Sequence, residues 1–295
     1  MPDSDNHKPL RLMAVHAHPD DESSKGAAVT AKYVHEGVEV MVVTCTGGER
    51  GDVLNASAQE LVDQLGILEV RRQEMAEAAK ILGVRHEWLG FIDSGFTEGE
   101  PLPSDAFALV PLEVSVPPLV KLIREFQPQV VTTYDENGGY PHPDHIQTHV
   151  ITMAAVDQAA NPELFPEFGP AFQVSKVYYN QQFHKERVVA LHELLLSEGI
   201  ESPFTEWLEN WQDNPEDAER ITTKVHAADF FHIRDAALKA HATQIEPDGR
   251  WFAVPLNLQR HAWPTEDFQL ALSYVGTTKN ESDLFAGVRE EHHGE

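Results

Sequence analysis

Two polar clusters in the sequence combine the residue types that bind metal ions and transfer protons. The first cluster, "HAHPDDES", starts at His16 within an apolar run, and the second, "YPHPDH", ends at His145. A buried carboxylate or imidazole without a partner costs several kcal/mol. These side chains must therefore be paired, solvated or bound to a metal ion.

The two clusters together contain a candidate set of zinc ligands. A zinc hydrolase typically holds its ion with three His, Asp or Glu side chains and leaves a fourth position for water. His18 and Asp21 lie three residues apart where the first apolar run ends, and His145 comes from the second cluster. The first cluster alone also fits a helix cap, in which Asp20 or Asp21 accepts backbone N–H bonds. The presence of the second cluster favours the metal site.

The neighbouring polar residues divide into candidates for catalysis and candidates for structure. Asp20, next to a ligand but pointing differently, would be free to act as a general base toward a bound water. His142 and Tyr140 would face the carbonyl of a substrate. His16 alternates with its neighbours inside the predicted strand, and His149 lies one turn further along the next predicted helix. Both are interpreted as structural.

The elements that position these residues follow from hydrophobic periodicity and from glycine and proline. Apolar runs typical of buried strands span 11–17, 38–46, 86–91 and 129–135. Predicted helices run from near Pro19 to Gly37, over 67–83 and over 117–128. Another helix begins near Asp144, and its predicted buried stripe is Ile146, Val150, Met153 and Ala154.

This alternation predicts an α/β fold, with a mostly parallel sheet and helices on both faces. Ligands in such folds bind at the carboxyl ends of the strands. The loops "HAHPDDES", "TGGERGD" and "DENGGYPHPDH" each follow a predicted strand. We therefore expect them to converge on one edge of the sheet.

The pattern changes near Lys176, which suggests a main part and a smaller C-terminal part. A strand over 176–183 and a helix over 185–199 precede an acidic region that contains tryptophans, and no Gly/Ser-rich linker separates the parts. We predict a hydrolase domain over 10–175 and a portion over 176–295 that packs on it and helps wall the site. The end, "REEHHGE", is predicted to be a frayed tail with solvated histidines.

Composition and motifs exclude several classes of function. The formal net charge of −26 disfavours nucleic acid and anionic membranes as partners. Cys45 is the single cysteine, and there is no run of about 18 apolar residues, so we expect a cytoplasmic protein without disulfides. The chain also lacks the G-x-G-x-x-G dinucleotide fingerprint and the G-x-S-x-G elbow of serine hydrolases.

Several segments resemble the LmbE/PIG-L superfamily of zinc-dependent de-N-acetylases. "MAVHAHPDDESSKGAA" and "TTYDENGGYPHPDHI" are specific to the superfamily, and "VTCTGGERGD", "RRQEM" and "LGFIDSG" extend the likeness. The C-terminal segments "ALKAHATQI" and "WPTEDF" resemble its amidase branch, whose small-molecule substrates are mycothiol S-conjugates. The resemblance implies a Rossmann-like fold with a smaller C-terminal portion.

The resemblance also implies the roles of the polar residues. One zinc ion (Zn²⁺) per chain would bind to the three ligands named above, and the possibility that Fe²⁺ replaces it stays open. Asp20 would be the general base. His142, oriented by Asp144, would stabilise the oxyanion, and a mobile Tyr140 would assist.

The assignment of substrate-binding residues depends more strongly on the resemblance than the assignment of the metal ligands does. Three positions match those that hold glucosaminyl-inositol in a sister deacetylase: Asp52, Arg71 and Asp93. Without the resemblance they would be interpreted as ordinary solvated charges. Lys25 follows Asp21 by four residues and could meet the acylcysteine side of a substrate, but pairing with Asp21 or Glu22 is as plausible.

The implied reaction is hydrolysis of the amide between the acylated cysteine and glucosamine. An alternative within the family is deacetylation of N-acetylglucosaminyl-inositol. A third hypothesis, a metal-dependent sugar-binding protein, is disfavoured by the presence of Asp20, His142 and Tyr140, because binding needs no base beside a metal site. The sequence leaves the preferred conjugate and the oligomeric state open.

Overall fold

Seven strands form one sheet in the computed structural model, which describes residues 9–212, 219–278 and 280–289. The strands are β1 (Arg11–His16), β2 (Glu39–Thr46), β3 (Arg85–Phe91), β4 (Val130–Thr133), β5 (Lys176–Asn180), β6 (Thr223–His226) and β7 (Thr265–Ser273). Their order is β3-β2-β1-β4-β5-β7-β6. Neighbours from β3 to β5 are parallel, while β7 is antiparallel to both β5 and β6.

Helices connect and cover these strands. The α-helices are α1 (Asp21–Ser24), α2 (Ala27–His35), α3 (Gln59–Leu65), α4 (Ile67–Leu82), α5 (Leu112–Phe126), α6 (Pro143–Ala160), α7 (Lys185–Ser197), α8 (Thr205–Glu209), α9 (Phe231–Ala240) and α10 (Leu256–Ala262). Short 3₁₀ helices cover Ala56–Ala58, Phe107–Leu109, Pro166–Phe168, Ala228–Phe230 and Arg250–Phe252. Within the described ranges, no helix combines the length and apolar character needed to cross a bilayer.

Both faces of the sheet are buried by helices, as predicted. On one face, Met13 and Val43 pack against apolar side chains of α5 and α6, such as Leu119 and Ile151. On the other face, helices α2, α4 and α9 cover residues that include Leu12 and Val40. Two-sided burial explains the nearly continuous apolar sequence of β1 and β2. The predicted fold class, a mostly parallel α/β sheet, is confirmed.

The strand order creates a crevice at the carboxyl edge of the sheet. The chain moves from β1 outward to β3 and then returns to place β4 on the other side of β1. Loops that leave β1 and β4 therefore diverge toward opposite faces, and ligands bind where such loops separate. Both polar clusters of the sequence follow these two strands. Because β1 and β4 are neighbours in the sheet, the two clusters lie side by side at this crevice.

The C-terminal strands extend the same sheet. β5 pairs with β4, and β7 and β6 add the far edge, so the predicted division at residue 175 falls between two paired strands. The two-part organisation over 10–175 and 176–295 stays a prediction. The histidines of the tail lie outside the described residues.

The helix predicted from Pro19 to Gly37 is wrong in one respect, because it is broken. Helix α1 ends at Ser24, Lys25 is extended, and α2 starts after Gly26, whose φ of +81° favours glycine. Helix α5 starts at Leu112, a turn before the predicted residue 117, because the backbone N–H of Ser115 already bonds to the carbonyl of Pro111.

The buried face of α6 also differs from the predicted stripe. Ile146, Met153 and Ala154 are half-buried, and Val150 is 36% exposed. The buried residues are Asp144, His145, Thr148, Ile151, Thr152, Ala155, Val156 and Ala159. The threonine hydroxyls on this face bond to carbonyls of their own helix, at 2.7 and 2.6 Å. Such local bonds satisfy buried polar groups, so hydrophobicity alone points to the wrong face.

Candidate active site

The turn between β1 and α1 places the first polar cluster at the crevice. The backbone N–H of His18 bonds to Asp21 Oδ2 at 3.0 Å, and the carbonyl of Asp20 accepts from Ser23 and Ser24 at 3.1 and 3.0 Å. No side chain caps α1. The Asp20 carboxylate therefore does not cap the helix, and it is available for a role in the cleft.

Three donor atoms of the predicted metal ligands lie close to one another. Asp21 Oδ2 is 3.5 Å from His18 Nδ1 and 3.4 Å from His145 Nε2. Bonds of about 2.0–2.2 Å to a tetrahedral zinc ion place its ligand atoms about 3.3–3.6 Å apart. Asp21 and His145 are buried, at 3% and 0% exposure, and the side chain of His18 is 12% exposed. The donor set and its spacing fit a zinc ion.

The second nitrogen of each histidine is also held, as metal-ligating histidines require. His18 Nε2 lies 3.1 Å from Asp144 Oδ2, and His145 Nδ1 lies 3.0 Å from the carbonyl oxygen of Gly138. Such bonds fix the ring and direct the first nitrogen toward a metal. A side chain at Gly138 would meet His145 Cβ at 2.7 Å, and its φ is +75°. Glycine is required at this position.

The charge around these ligands attracts a cation. Burial opposes protonation of His18, but its bonds to Asp144 and Asp21 raise its pKa to about 10. Asp93 adds a carboxylate oxygen 3.9 Å from His18 Nε2. Among the described residues, two groups have donor atoms that all lie within 4.8 Å of one another: His18 with His142 and His145, and His18 with Asp93 and Asp144. His18 belongs to both groups, and Asp21 belongs to neither.

Asp20 lies beside the ligands, at the wall of the cleft. Its side chain is 25% exposed, and Arg71 is its nearest cation, with Nη2 3.5 Å from Oδ2. Burial and the adjacent Asp21 carboxylate raise the pKa of Asp20. A raised pKa increases the basicity of a carboxylate toward water.

His142 presents a neutral imidazole to the same cleft. Its Nδ1 accepts the backbone N–H of Asp144 at 3.2 Å, which caps α6 and leaves the proton of the neutral ring on Nε2. Burial, with the neighbouring His18 and His145, lowers the pKa of His142 to about 4. The side chain therefore donates one hydrogen bond at neutral pH, as an oxyanion stabiliser must.

Asp144 contacts His142 through its backbone N–H, while its carboxylate bonds to His18 and Ser94. Oδ2 bonds to His18 and to the backbone N–H of Ser94 at 3.0 Å, and Oδ1 accepts from the Ser94 hydroxyl. Only the backbone of Asp144 reaches His142. Tyr140 is 52% exposed and its hydroxyl lies 3.5 Å from His145 Nε2.

The predicted substrate residues lie in and around this cleft. Asp52, Arg71 and Asp93 all line it, together with Arg50 and Gln244. Arg71 is 3% exposed and donates to the carbonyls of Pro19 and Gly48 at 2.6 and 3.0 Å. It therefore braces two loops as well as facing the cleft.

Lys25 forms an ion pair with a predicted metal ligand. Its Nζ lies 2.5 Å from Asp21 Oδ1, which is the pairing left open by the sequence. It also lines the cleft next to the predicted metal ligands. The ammonium thus neutralises the second oxygen of a ligand carboxylate.

Two residues around the site were missed by reasoning on the sequence. Tyr134 donates to Asp21 Oδ2 at 2.7 Å and accepts from the backbone N–H of Ala17 at 2.9 Å. Ser94 holds Asp144. Both occur inside quoted motifs, "TTYD" and "LGFIDSG", but neither is a typical ligand type. Only the fold brings them together.

The two histidines interpreted as structural stand apart from the cleft. His16 is 1% exposed, and burial lowers its pKa to about 4. His149 Nδ1 lies 3.0 Å from the carbonyl of Tyr134. Neither belongs to a possible metal group among the described residues.

The fold and the sequence define the class of protein. The family model for PIG-L, "GlcNAc-PI de-N-acetylase", matches residues 13–156. N,N'-diacetylchitobiose deacetylase from Pyrococcus horikoshii has the same fold, with a TM-score of 0.60 at 20% identity over 91% of this chain and 87% of that chain. The chain belongs to the PIG-L (LmbE) family of metal-dependent deacetylases, and it is a hydrolase that acts on amide bonds.

Two relatives resemble almost the whole chain. Mycothiol S-conjugate amidase from Streptomyces coelicolor is 58% identical over 95% of this chain and 98% of its own length. A 1D-myo-inositol 2-acetamido-2-deoxy-alpha-D-glucopyranoside deacetylase from Geodermatophilus obscurus is 42% identical over 94% of this chain and 98% of its own length. The substrates in both names are small molecules.

Proposed function

We propose that this chain is a zinc-dependent amidase that cleaves mycothiol S-conjugates at the amide between the acylated cysteine and glucosamine. The products are glucosaminyl-inositol and an N-acetylcysteine S-conjugate. The observation that carries the proposal is the 58% identity with an amidase of that name over 95% of the chain. The donor set of His18, Asp21 and His145 supports the reaction class.

The chain's own residues perform the proton transfers. His18, Asp21 and His145 would hold a zinc ion, which would supply acidification of water and polarisation of a carbonyl. Asp20 accepts the proton of the attacking water, because its carboxylate borders the cleft and makes no capping bond. The same carboxylic acid then returns that proton to the departing glucosamine nitrogen.

The carbonyl oxygen gains negative charge during the attack. His142 donates from Nε2 to this oxygen, and the Asp144 backbone holds the ring in the correct tautomer. Tyr140, whose hydroxyl reaches His145, lies on the same side of the cleft and donates a second bond. Preorganised donors of this kind contribute about 10²–10³ in rate.

The sugar lies at the polar end of the cleft. Asp52, Asp93 and Arg71 offer acceptors and a donor to hydroxyl groups there. Lys25 acts indirectly, by fixing Asp21 through the 2.5 Å ion pair. Asp144 fixes His18 in the same way.

A second candidate is deacetylation of N-acetylglucosaminyl-inositol. The 42% identity with a deacetylase of that substrate favours it as a side activity. Both substrates present the same sugar, so the catalytic residues serve either reaction.

The test is to compare two substrates on the purified, zinc-loaded protein. A bimane conjugate of mycothiol and N-acetylglucosaminyl-inositol are each incubated with it, and release of the free amine is measured. The proposal expects a higher kcat/KM for the conjugate. A ratio at or below one would assign the chain to the deacetylase reaction instead.

A further inference from the structure

The cleft continues beyond the metal ligands into a space of different character. Next to Asp20 and Asp21 it leads into a second space, here called the bridging chamber, which is lined by Leu54, Phe183 and Trp251. Ser24, Phe183 and Trp251 also line a deeper inner pocket between α7, α8, α9 and α10. A continuous path therefore leads from the reacting centre into the C-terminal part of the chain.

Aromatic rings stand exposed where the two spaces join. Phe183 is 53% exposed, and Trp207 and Trp251 are each 40% exposed. The ring of Phe183 lies 6.3 Å from that of Trp207 and 5.9 Å from that of Trp251, in edge-to-face contacts. Contiguous exposed apolar side chains beside a cleft mark a binding surface.

The inner pocket combines apolar walls with unpaired donors. Val188, Leu191 and Val254 line it. Gln182 is 6% exposed, yet its Nε2 has no hydrogen-bond partner among the described residues, and the same holds for Nε of Arg187. A buried donor left unpaired costs about 1–3 kcal/mol. An oxygen acceptor on a ligand would satisfy these groups.

The charges of the pocket select against a cationic ligand. Arg187, Arg234 and Arg250 line it, and Glu266 is the acidic residue among them. The carboxylate of Glu266 is already used, because it accepts the backbone N–H groups of Val29 and Ala28 at 2.8 and 3.3 Å. The pocket therefore suits a neutral or electron-rich group.

We propose that the bridging chamber and inner pocket bind the group carried on the substrate's sulfur, and that they select aromatic or conjugated groups bearing an oxygen acceptor. This inference rests on the proposed function. With the sugar in the polar end of the cleft, the acylcysteine leaves the scissile amide toward Phe183 and Trp251. An acetyl group is too short to reach them.

Phe183→Ala and Trp251→Ala test this assignment. Each should raise KM for the bimane conjugate of mycothiol and lower its kcat/KM about tenfold, the effect of losing about 60 Å² of apolar contact at about 25 cal/mol per Å². The kcat/KM for S-methyl mycothiol should change less than about twofold, because that substituent ends before the aromatic rings. An equal decrease in kcat/KM for both substrates, or no decrease for either, would overturn the proposal.

The matched control is Tyr274→Ala. Tyr274 is 58% exposed, and it follows β7 at the opposite edge of the sheet, beside the amino end of β5. This variant should keep both activities. A selective loss of activity on the bimane conjugate in this variant would overturn the assignment to the pocket.

A binding measurement separates this inference from the proposed function. N-acetyl-S-bimanylcysteine carries the sulfur group without the sugar, and its Kd is measured by calorimetry for the wild type and for Phe183→Ala. Failure of the wild type to cleave mycothiol conjugates would overturn the proposed function. Weaker binding of N-acetyl-S-bimanylcysteine to Phe183→Ala than to the wild type would still support the pocket. Equal binding to both, or none to either, overturns the pocket.

Gln182→Leu tests whether the pocket selects sulfur substituents that bear an oxygen acceptor. It removes the unpaired donor at similar volume. We expect the variant to lower kcat/KM for the bimane conjugate, which bears carbonyl oxygens. The kcat/KM for an S-benzyl conjugate, which bears no oxygen acceptor, should stay unchanged or increase. Equal effects on the two conjugates would contradict the assignment of Gln182.

Discussion

Asp20 adopts a backbone conformation that is unusual for a residue with a side chain. Its φ of 108° lies in the left-handed region, and its N–H bonds to Glu22 Oε2 at 3.0 Å. Glu22 is in turn held by His241, with Oε1 2.7 Å from Nε2. A strained residue persists when its surroundings fix it, and such residues concentrate at active sites. These contacts direct the carboxylate into the cleft.

The first prediction tests Asp20 as the general base. Asp20→Asn keeps the shape and removes the proton acceptor, so turnover should fall by about 10²–10⁴ while metal content stays unchanged. Metal is measured by elemental analysis on the same sample used for kinetics. Asp229→Asn, an exposed position outside the cleft, is the control. Near-normal turnover in a metal-loaded Asp20→Asn sample would exclude the role.

At the scale of elements, side-chain bonds tie the C-terminal strands to their neighbours. Asp267 on β7 accepts from His184, Trp263 and Thr265, each at 2.7 Å. Burial opposes the charged form, but these bonds, that of His184 foremost, lower the pKa of Asp267. The carboxylate fixes the residue that precedes α7, next to Phe183.

The second prediction is that Asp267→Ala destabilises the fold by about 3 kcal/mol or more, because it leaves buried donors unpaired. Since the folded pKa is lowered, this contribution is complete above the unfolded value of about 3.9 and is lost as pH falls through the folded value. The difference from wild type in urea unfolding should therefore shrink between pH 6 and pH 3. Asp229→Ala should stay within about 0.5 kcal/mol. A difference independent of pH would contradict the prediction.

Elements with strong periodicity were predictable, and the exceptions have physical causes. Strands β1 to β5 and α4 follow from apolar runs, and on α4 Val70, Met75, Ala78 and Leu82 are buried. No strand was predicted at β6 or β7. The stripe on α6 was wrong because Thr148 and Thr152 satisfy their hydroxyls within the helix. The break at Gly26 depends on packing against Asn180 and Phe268, which come from distant strands.

At the scale of the whole molecule, the predicted metal ligands belong to distant parts of the chain. His18 lies between β1 and α1 and Asp21 begins α1, whereas His145 lies on α6 and reaches them only because β4 pairs with β1. The residue types could be read from the sequence. The bonds from Asp144 to His18 and from Tyr134 to Asp21 could not, because they depend on side-chain directions set by the assembled sheet.

The last prediction uses this separation, because an unfolded chain cannot hold a metal ion between residues so far apart. Zinc at about a hundredfold excess over its Kd should stabilise the folded chelator-treated protein by about 2.7 kcal/mol. That is expected to raise Tm by about 4 °C. His145→Ala should lose the shift and the bound metal together. His149→Ala, one helical turn along and bonded to the Tyr134 carbonyl, should keep both. An equal zinc shift in His145→Ala would remove His145 from the ligand set.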